Sequence, residues 1–235
     1  MAKAFISGVG AVEIQEKVVE ITENGTIEIL PDTGKVLGKV TANVNAGKPE
    51  YSEGLLYDFG DSVRCTGRGS CTDEVIRIPE KATVEIPGMY PVEYVEGTVA
   101  QFGYNAFGGD EKVVEVHLPA TLTNMGAMAF GNCPNLKRMY MPGVAYFASF
   151  ELSSLPSLVL VILGKDLYGI GGGFANGGTN TLFDFTDCTM IPDLDSYGYG
   201  SEFGTNPTIR VPKALYNNWI VATNWVAYAD FIVSA

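Results

Sequence analysis

Between Val113 and Phe185 the chain repeats one short pattern: an apolar residue, a variable one, a second apolar one, then a turn former. Val116-His117-Leu118-Pro119 returns after 23 residues as Met139-Tyr140-Met141-Pro142. It returns 22 later as Val161-Ile162-Leu163-Gly164, and 22 later again as Phe183-Asp184-Phe185-Thr186. Such tripeptides predict short strands with two side chains facing in and one facing out. A unit this small cannot bury its apolar face alone, so copies must stack on one another to close a core. Ala106-Phe107 recurs as Ala129-Phe130, and Val113, Leu136 and Leu158 hold the place just before the strand.

Ahead of the array the period changes to two. Val12-Glu13-Ile14-Gln15 predicts an extended arm or edge strand within residues 1 to 16, with Phe5, Ile6, Val12 and Ile14 as its anchoring apolar residues. Val19 and Ile21 alternate with polar residues before Asn24-Gly25, and Ile27 and Ile29 after it, which predicts a type I′ hairpin there. Pro31-Asp32-Thr33-Gly34 makes a second turn before Val36, Val40, Ala42 and Val44. About three strands result, too thin a layer to be stable alone. Asn45-Ala46-Gly47-Lys48-Pro49 reads as a hinge.

From Gly54 to Pro79 the pattern predicts two or three strands with a Gly-rich turn, a cap for the array, and Ile76-Arg77-Ile78-Pro79 carries the repeat's own strand signature. At the far end Ile209-Arg210-Val211-Pro212 supplies the last repeat strand. Pro212 then opens a helix over Lys213 to Thr223, with Leu215, Trp219, Ile220 and Ala222 at helical spacing. Trp219, Trp225, Tyr228, Phe231 and Ile232 are expected to close the last repeat. The expected fold is mainly β with some α. It comprises an N-terminal arm and β-module (1–46), a linker and β cap (47–89), a repeat solenoid (90–212) and a C-terminal helical cap (213–235).

The fullest copy, Gly126-Ala127-Met128-Ala129-Phe130-Gly131-Asn132-Cys133-Pro134-Asn135-Leu136 followed by Met141-Pro142, resembles the leucine-rich repeat of bacterial surface antigens of the BspA type. The match covers about Tyr90 to Val211. Leu152 and Leu155 stand in place of Phe and Cys in the third copy, and Gly171-Gly172-Gly173-Phe174 loosens the fourth. Lys17 to Val44 is similar to a short β-module of structural proteins in phages of Gram-positive bacteria. The Val211-Pro212-Lys213-Ala214-Leu215-Tyr216 segment with Trp219 and Trp225 resembles the closing motif of phage proteins with these repeats.

Composition narrows the partners. A formal net charge of −12 repels phosphate backbones and anionic lipid, so neither nucleic acid nor membrane is expected. No run of 18 apolar residues is present, and Met1 to Gly8 is too short and glycine-interrupted for a signal peptide. The chain is therefore expected to be made in a bacterial host cytoplasm and to remain as written. Cys65, Cys71, Cys133 and Cys188 lack zinc-type spacing. A Cys65–Cys71 disulfide stays open as an alternative to reduced thiols, and Cys133 reads as a small buried apolar residue.

No catalytic constellation emerges. His117, the only histidine, occupies an outward strand position beside Glu115 and has no nucleophile at a telling spacing. Gly169 to Gly173 lacks the Gly-Lys-Ser/Thr of a phosphate loop and reads as a flexible turn between repeats. Asp184, Asp187, Asp193, Asp195 and Glu202 could offer oxygens to calcium, but without the order of an EF-hand loop, so no metal and no cofactor is expected. Tyr197 and Tyr199, in Tyr197-Gly198-Tyr199-Gly200, could stack on sugar rings, grip a protein or pack on the C-terminal helix.

Alternation places Arg77, His117, Tyr140, Ile162, Asp184 and Arg210 in one outward column and Glu115, Arg138 and Leu160 in the next. Leu160 and Ile162, ringed by Arg138, Tyr140 and Asp184, would form a protein or glycan contact. Alternatively a loop such as Phe147 to Phe150 folds over them. With the phage resemblance, these features lead to an expected non-enzymatic virion protein: a head fibre, capsid decoration or tail-associated receptor-binding protein. Its N-terminus would bind other capsid or tail proteins, its repeats would face a host surface protein or glycan, and assembly would be homo-oligomeric, for instance trimeric. A bacterial cell-surface adhesin is the alternative. A carbohydrate-active enzyme would need a paired-carboxylate cleft.

Overall fold

The structure, a computed structural model, describes residues 11–14, 17–20, 25–29, 38–42, 50–86, 88–147, 152–171, 178–195 and 203–235. The chain divides into two compact units, 1–50 and 51–235. In the first, β1 (Ala11–Ile14) pairs antiparallel with β2 (Lys17–Glu20), and β3 (Gly25–Ile29) with β4 (Gly38–Ala42). The hairpin expected across Asn24-Gly25 turns on residues 21–24, which lie outside the described residues; in the described pairs Val12 stands opposite Val19 and Ile27 opposite Val40. Asn24 itself, like Phe5 and Ile6, lies outside the described residues.

The second unit opens with β5 (Leu56–Phe59), β6 (Val63–Gly67), β7 (Val75–Arg77), β8 (Lys81–Glu85) and β9 (Tyr94–Phe102). Four of these form one sheet in the order β5-β6-β9-β8, while β7 begins the solenoid. The β8–β9 hairpin, with Val84 opposite Val95, was not expected. It fills the interval between Ile76 and Val116, which is longer than the later repeat step.

Then follow β10 (Glu115–His117), β11 (Arg138–Met141), β12 (Tyr146–Phe147), β13 (Leu160–Leu163), β14 (Gly169–Ile170), β15 (Leu182–Asp184), β16 (Asp193–Leu194) and β17 (Thr208–Val211). A single helical turn α1 (Tyr216–Trp219), a 3₁₀ run over Trp225–Phe231 and β18 (Ile232–Ser234) close the chain. The unit is mainly β, a parallel solenoid of about four turns. Its principal sheet has seven strands in the order β18-β17-β15-β13-β11-β10-β7.

Register follows from alternation. Ile76, Val116, Met139, Val161, Phe183, Ile209 and Ile232 stand side by side and point inward, all but Ile232 fully buried. Two positions on, Leu118, Met141, Leu163, Phe185 and Val211 are buried as well. Any one-residue slip would turn both rows to water, which locks the pairing.

A second parallel ladder, β12-β14-β16, forms another side of the coil, joined to β9 through bridges at Gln101–Asn124 and Asn124–Tyr146. Gly169, read as part of a flexible turn, is thus a strand residue. Its missing side chain admits the Tyr146 ring, which a Cβ would approach at 2.8 Å. Between the ladders, the recurrent Ala-Phe pairs stack. Phe107 and Phe130 lie parallel with centroids 5.0 Å apart, and the Phe107 and Asn105 amides donate to the Ala129 and Ala127 carbonyls at 2.7 and 3.0 Å.

Both ends are closed. At the β7 edge, the Ser52 amide donates to the Arg77 carbonyl at 2.9 Å while the Arg77 amide donates to Ser52 Oγ at 3.0 Å, which removes an open strand edge. At the other end the expected helix over Lys213 to Thr223 is corrected to the one turn of α1. Asn224, in a left-handed conformation at φ 65°, then redirects the chain. Ile232-Val233-Ser234 adds a last parallel strand instead of ending a helical cap. Trp219 and Trp225 are buried against Phe185 and Phe203, and Trp225 Nε1 donates to the Pro192 carbonyl at 2.7 Å.

Candidate functional site

The outward face of the seven-stranded sheet carries the side chains that alternation singled out. Register sets Arg77, His117, Tyr140, Ile162, Asp184 and Arg210 in one row across the strands, and Glu115, Arg138, Leu160, Leu182 and Thr208 in the next. All except Arg77 and Thr208, which are exposed, are half-buried. In this parallel sheet, neighbours in a row come from consecutive turns, so residues 22 to 26 positions apart, or 40 between β7 and β10, meet side by side.

The face has three zones. At the β10–β11 end, Glu115 accepts hydrogen bonds from His117 Nε2 at 2.6 Å and from Arg138 Nε. His117 also stacks on Tyr140. Burial pushes the Glu115 carboxyl up, but the hydrogen bonds from His117 and Arg138, with Arg138's charge, outweigh it and hold the group below the ordinary glutamate value. In the middle, Leu160, Ile162 and Leu182 bring aliphatic side chains to the surface on adjacent strands.

At the β15–β17 end, Arg210 Nη1 donates to Asp184 Oδ2 at 3.2 Å, and the other Asp184 oxygen accepts from the Thr186 amide at 3.0 Å and from its hydroxyl. Here the strand ends enclose an open depression of about 560 Å³, bordered by Ile162, Asp184, Thr186, Asp187, Arg210 and Ser234 among others.

Phe147, offered as part of a loop over the apolar residues, is a β12 residue fully buried in the solenoid's core; residues 148–150 lie outside the described residues. So do Tyr197, Tyr199 and Glu202. The rest of the acidic group is split. Asp184 sits on the principal sheet, while Asp195, next to β16 on the second ladder, accepts from the Tyr146 hydroxyl at 3.2 Å. Among the described residues no three acidic, His or Cys side chains are placed to hold a metal ion. All four cysteines are free and buried, so the Cys65–Cys71 disulfide is not formed. Val12 and Ile14 lie on β1.

Sequence reasoning placed Arg210 and Glu115 in their columns but gave them no part in the contact surface, and it missed Leu182, Thr186 and Ser234. Leu182 directly precedes the recognised Phe183 tripeptide, and one more step of alternation would have found it. Ser234 could have been reached by the repeat step, since Ile232 follows Ile209 by 23 residues, but the helical spacing of Leu215, Trp219 and Ala222 masked the closing strand.

The fold defines a parallel β-solenoid with an open sheet face, aliphatic at its centre and ion-paired at both flanks. Neither a protein-family model, a curated protein nor a solved structure matches the chain. No helix among the described residues is long and apolar enough to cross a membrane.

Proposed function

We propose that this chain is a non-enzymatic structural protein of a phage particle. Residues 1–46 serve as the anchor, and the solenoid's principal sheet is the surface that meets a host glycan or protein, or a neighbouring subunit. The observation that carries the reading is the aliphatic strip of Leu160, Ile162 and Leu182. It lies on the outward face of two adjacent strands, β13 and β15, between two ion-paired flanks, the arrangement of an apolar centre inside a polar rim that marks contact surfaces.

The resemblance of the Ala129-Phe130 to Met141-Pro142 copy to BspA-type leucine-rich repeats, and of Lys17 to Val44 to a phage β-module, supports the assignment to a virion. A small anchor and a short solenoid suit a head fibre or capsid decoration as well as a tail-associated receptor-binding protein. The two-strand ladders of the anchor are thin, and assembly as a homo-oligomer such as a trimer would complete a core for them.

Immunogold electron microscopy with antibody to residues 90–235, on lysate and intact cells of the source culture, tests the reading. Gold on particles is the expected result, and its position on head or tail assigns the role. Gold on cell walls with none on particles would replace the virion protein by a cell-surface adhesin.

A further inference from the structure

We infer that the depression at the C-terminal ends of β13, β15, β17 and β18 is a binding site for a neutral saccharide. This inference deepens the reading above, since it rests on the sheet face being the contact surface and names the chemistry that it contacts.

The lining mixes polar and apolar surface, and its polar groups are preorganised. Asp184 is held by Arg210 and by both the amide and hydroxyl of Thr186, so its carboxylate direction is set before any ligand arrives. Arg210 directs Nη1 to Asp184 and keeps 43% of its side chain exposed, which leaves further donors of its five for a ligand. Thr186, Asp187 and Ser234 add exposed hydroxyl and carboxylate groups, and Ile162 adds an aliphatic wall.

Donors and acceptors thus alternate at close range beside one apolar surface. A pyranose presents the matching set: neighbouring hydroxyls that both donate and accept, and a C–H face that packs on an aliphatic or aromatic side chain. The volume, about 560 Å³, falls within the range of roughly 300–1,000 Å³ usual for small-ligand pockets.

Charge selects among ligand classes. Asp184 and Asp187 together repel a phosphate or sulfate, and the single guanidinium is already turned to Asp184. A cation can pair with the exposed Asp187 while Arg210 stays on Asp184, so polylysine is the control that separates charge capture from saccharide binding. A neutral polyol fits the paired state itself, because the Asp184–Arg210 pair can bridge adjacent hydroxyls without separating.

The test is binding of the full chain to a printed panel of neutral oligosaccharides, with heparin and polylysine as charged controls. Hits are then titrated in solution beside Asp187→Asn, Thr186→Ala and the distant Glu85→Gln. Binding to at least one neutral saccharide is expected, weakened about tenfold by Asp187→Asn or Thr186→Ala and unchanged by Glu85→Gln, with equal urea midpoints for all. Asp187 and Thr186 are exposed, so these changes leave the core intact. The inference is overturned by binding only to heparin or polylysine, by no binding to the panel, or by saccharide binding indifferent to both site variants. Particle labelling without saccharide binding removes this site alone; saccharide binding by a protein found only on cell walls removes the virion reading alone.

Discussion

The rings of His117 and Tyr140, on adjacent strands, stack nearly parallel, with centroids 4.3 Å apart and planes 9° from each other. The stack aligns His117 Nε2 with Glu115, whose other oxygen takes Arg138, so three consecutive outward positions act as one unit. The Glu115 carboxyl is held below its ordinary value, and the sign of its contribution follows. Stability from this group is fully present above the unfolded-state value, about pH 4.5, and is lost as pH falls through the lower folded-state value. Glu115→Gln is expected to lower stability at pH 7 by about 1–3 kcal/mol, the worth of hydrogen bonds to a charged group. The deficit should shrink as pH falls below the unfolded-state value toward the lower folded-state one. Urea midpoints at pH 3, 5 and 7 measure it; a deficit independent of pH would reject the account.

The inward alternation of Val116, Met139, Val161 and Phe183 was legible because each copy carries two core positions, and its period sets the register of the whole principal sheet. The second ladder was not. Its strands are only two residues long, and Gly169 and Asp193 break any apolar alternation, so the backbone pairing there is imposed by stacking from the first sheet. Likewise Asp184 and Arg210 could be put in one column by alternation within their strand tripeptides, although they lie 26 residues apart. Their depression needed β18, a strand hidden behind a helix-like run of Trp and Ala residues.

Arg68 ties the first sheet of the solenoid unit to the first repeat. Its guanidinium donates to Asp110 through Nε and, through Nη1, to the carbonyls of Asp73 at 2.6 Å and Cys71 at 3.2 Å. Asp110 in turn accepts the amides of Lys112 and Val113 at 2.8 and 3.1 Å. Both side chains are largely buried, so removing one leaves the other charge uncompensated. Arg68→Met is expected to cost about 3–5 kcal/mol in urea unfolding. Asp110→Asn in the Arg68→Met background should cost much less than in the native chain. Additive losses would mean that the pair is not coupled.

The four cysteines should behave as inert core residues. Burial pushes the thiols of Cys65 and Cys188 up to about 12 and that of Cys133 to about 11, so almost no thiolate forms near neutrality. A disulfide reagent at pH 8 is expected to leave the native chain unlabelled and to titrate all four thiols once guanidinium chloride unfolds it. Two thiols in the unfolded chain would instead reveal a Cys65–Cys71 bridge.

Gly164 stands where two preceding copies carry Pro119 and Pro142, and its lack of a side chain lets the turn after β13 close on the turn below. A Cβ there would lie 1.8 Å from the Pro142 carbonyl oxygen, and one at Gly143 would lie 2.2 Å from that of Ala120. The obstacle in both cases is backbone, which cannot rotate aside as a side chain can, so an added methyl must separate two turns that share a hydrogen-bonded ladder. Gly164→Ala should therefore destabilise the chain by about 1–3 kcal/mol. Gly60→Ala, whose Cβ would meet nothing nearer than Arg64 Cζ at 3.7 Å, should stay within about 0.5 kcal/mol of the parent. Leu163, the residue before Gly164, borders the depression, so a shift of this turn also moves the wall facing Asp184. Gly164→Ala should thus weaken saccharide binding even at temperatures where the chain remains folded, and Gly60→Ala should not. Equal midpoints for the two variants in urea would show that the turns do not stack this closely.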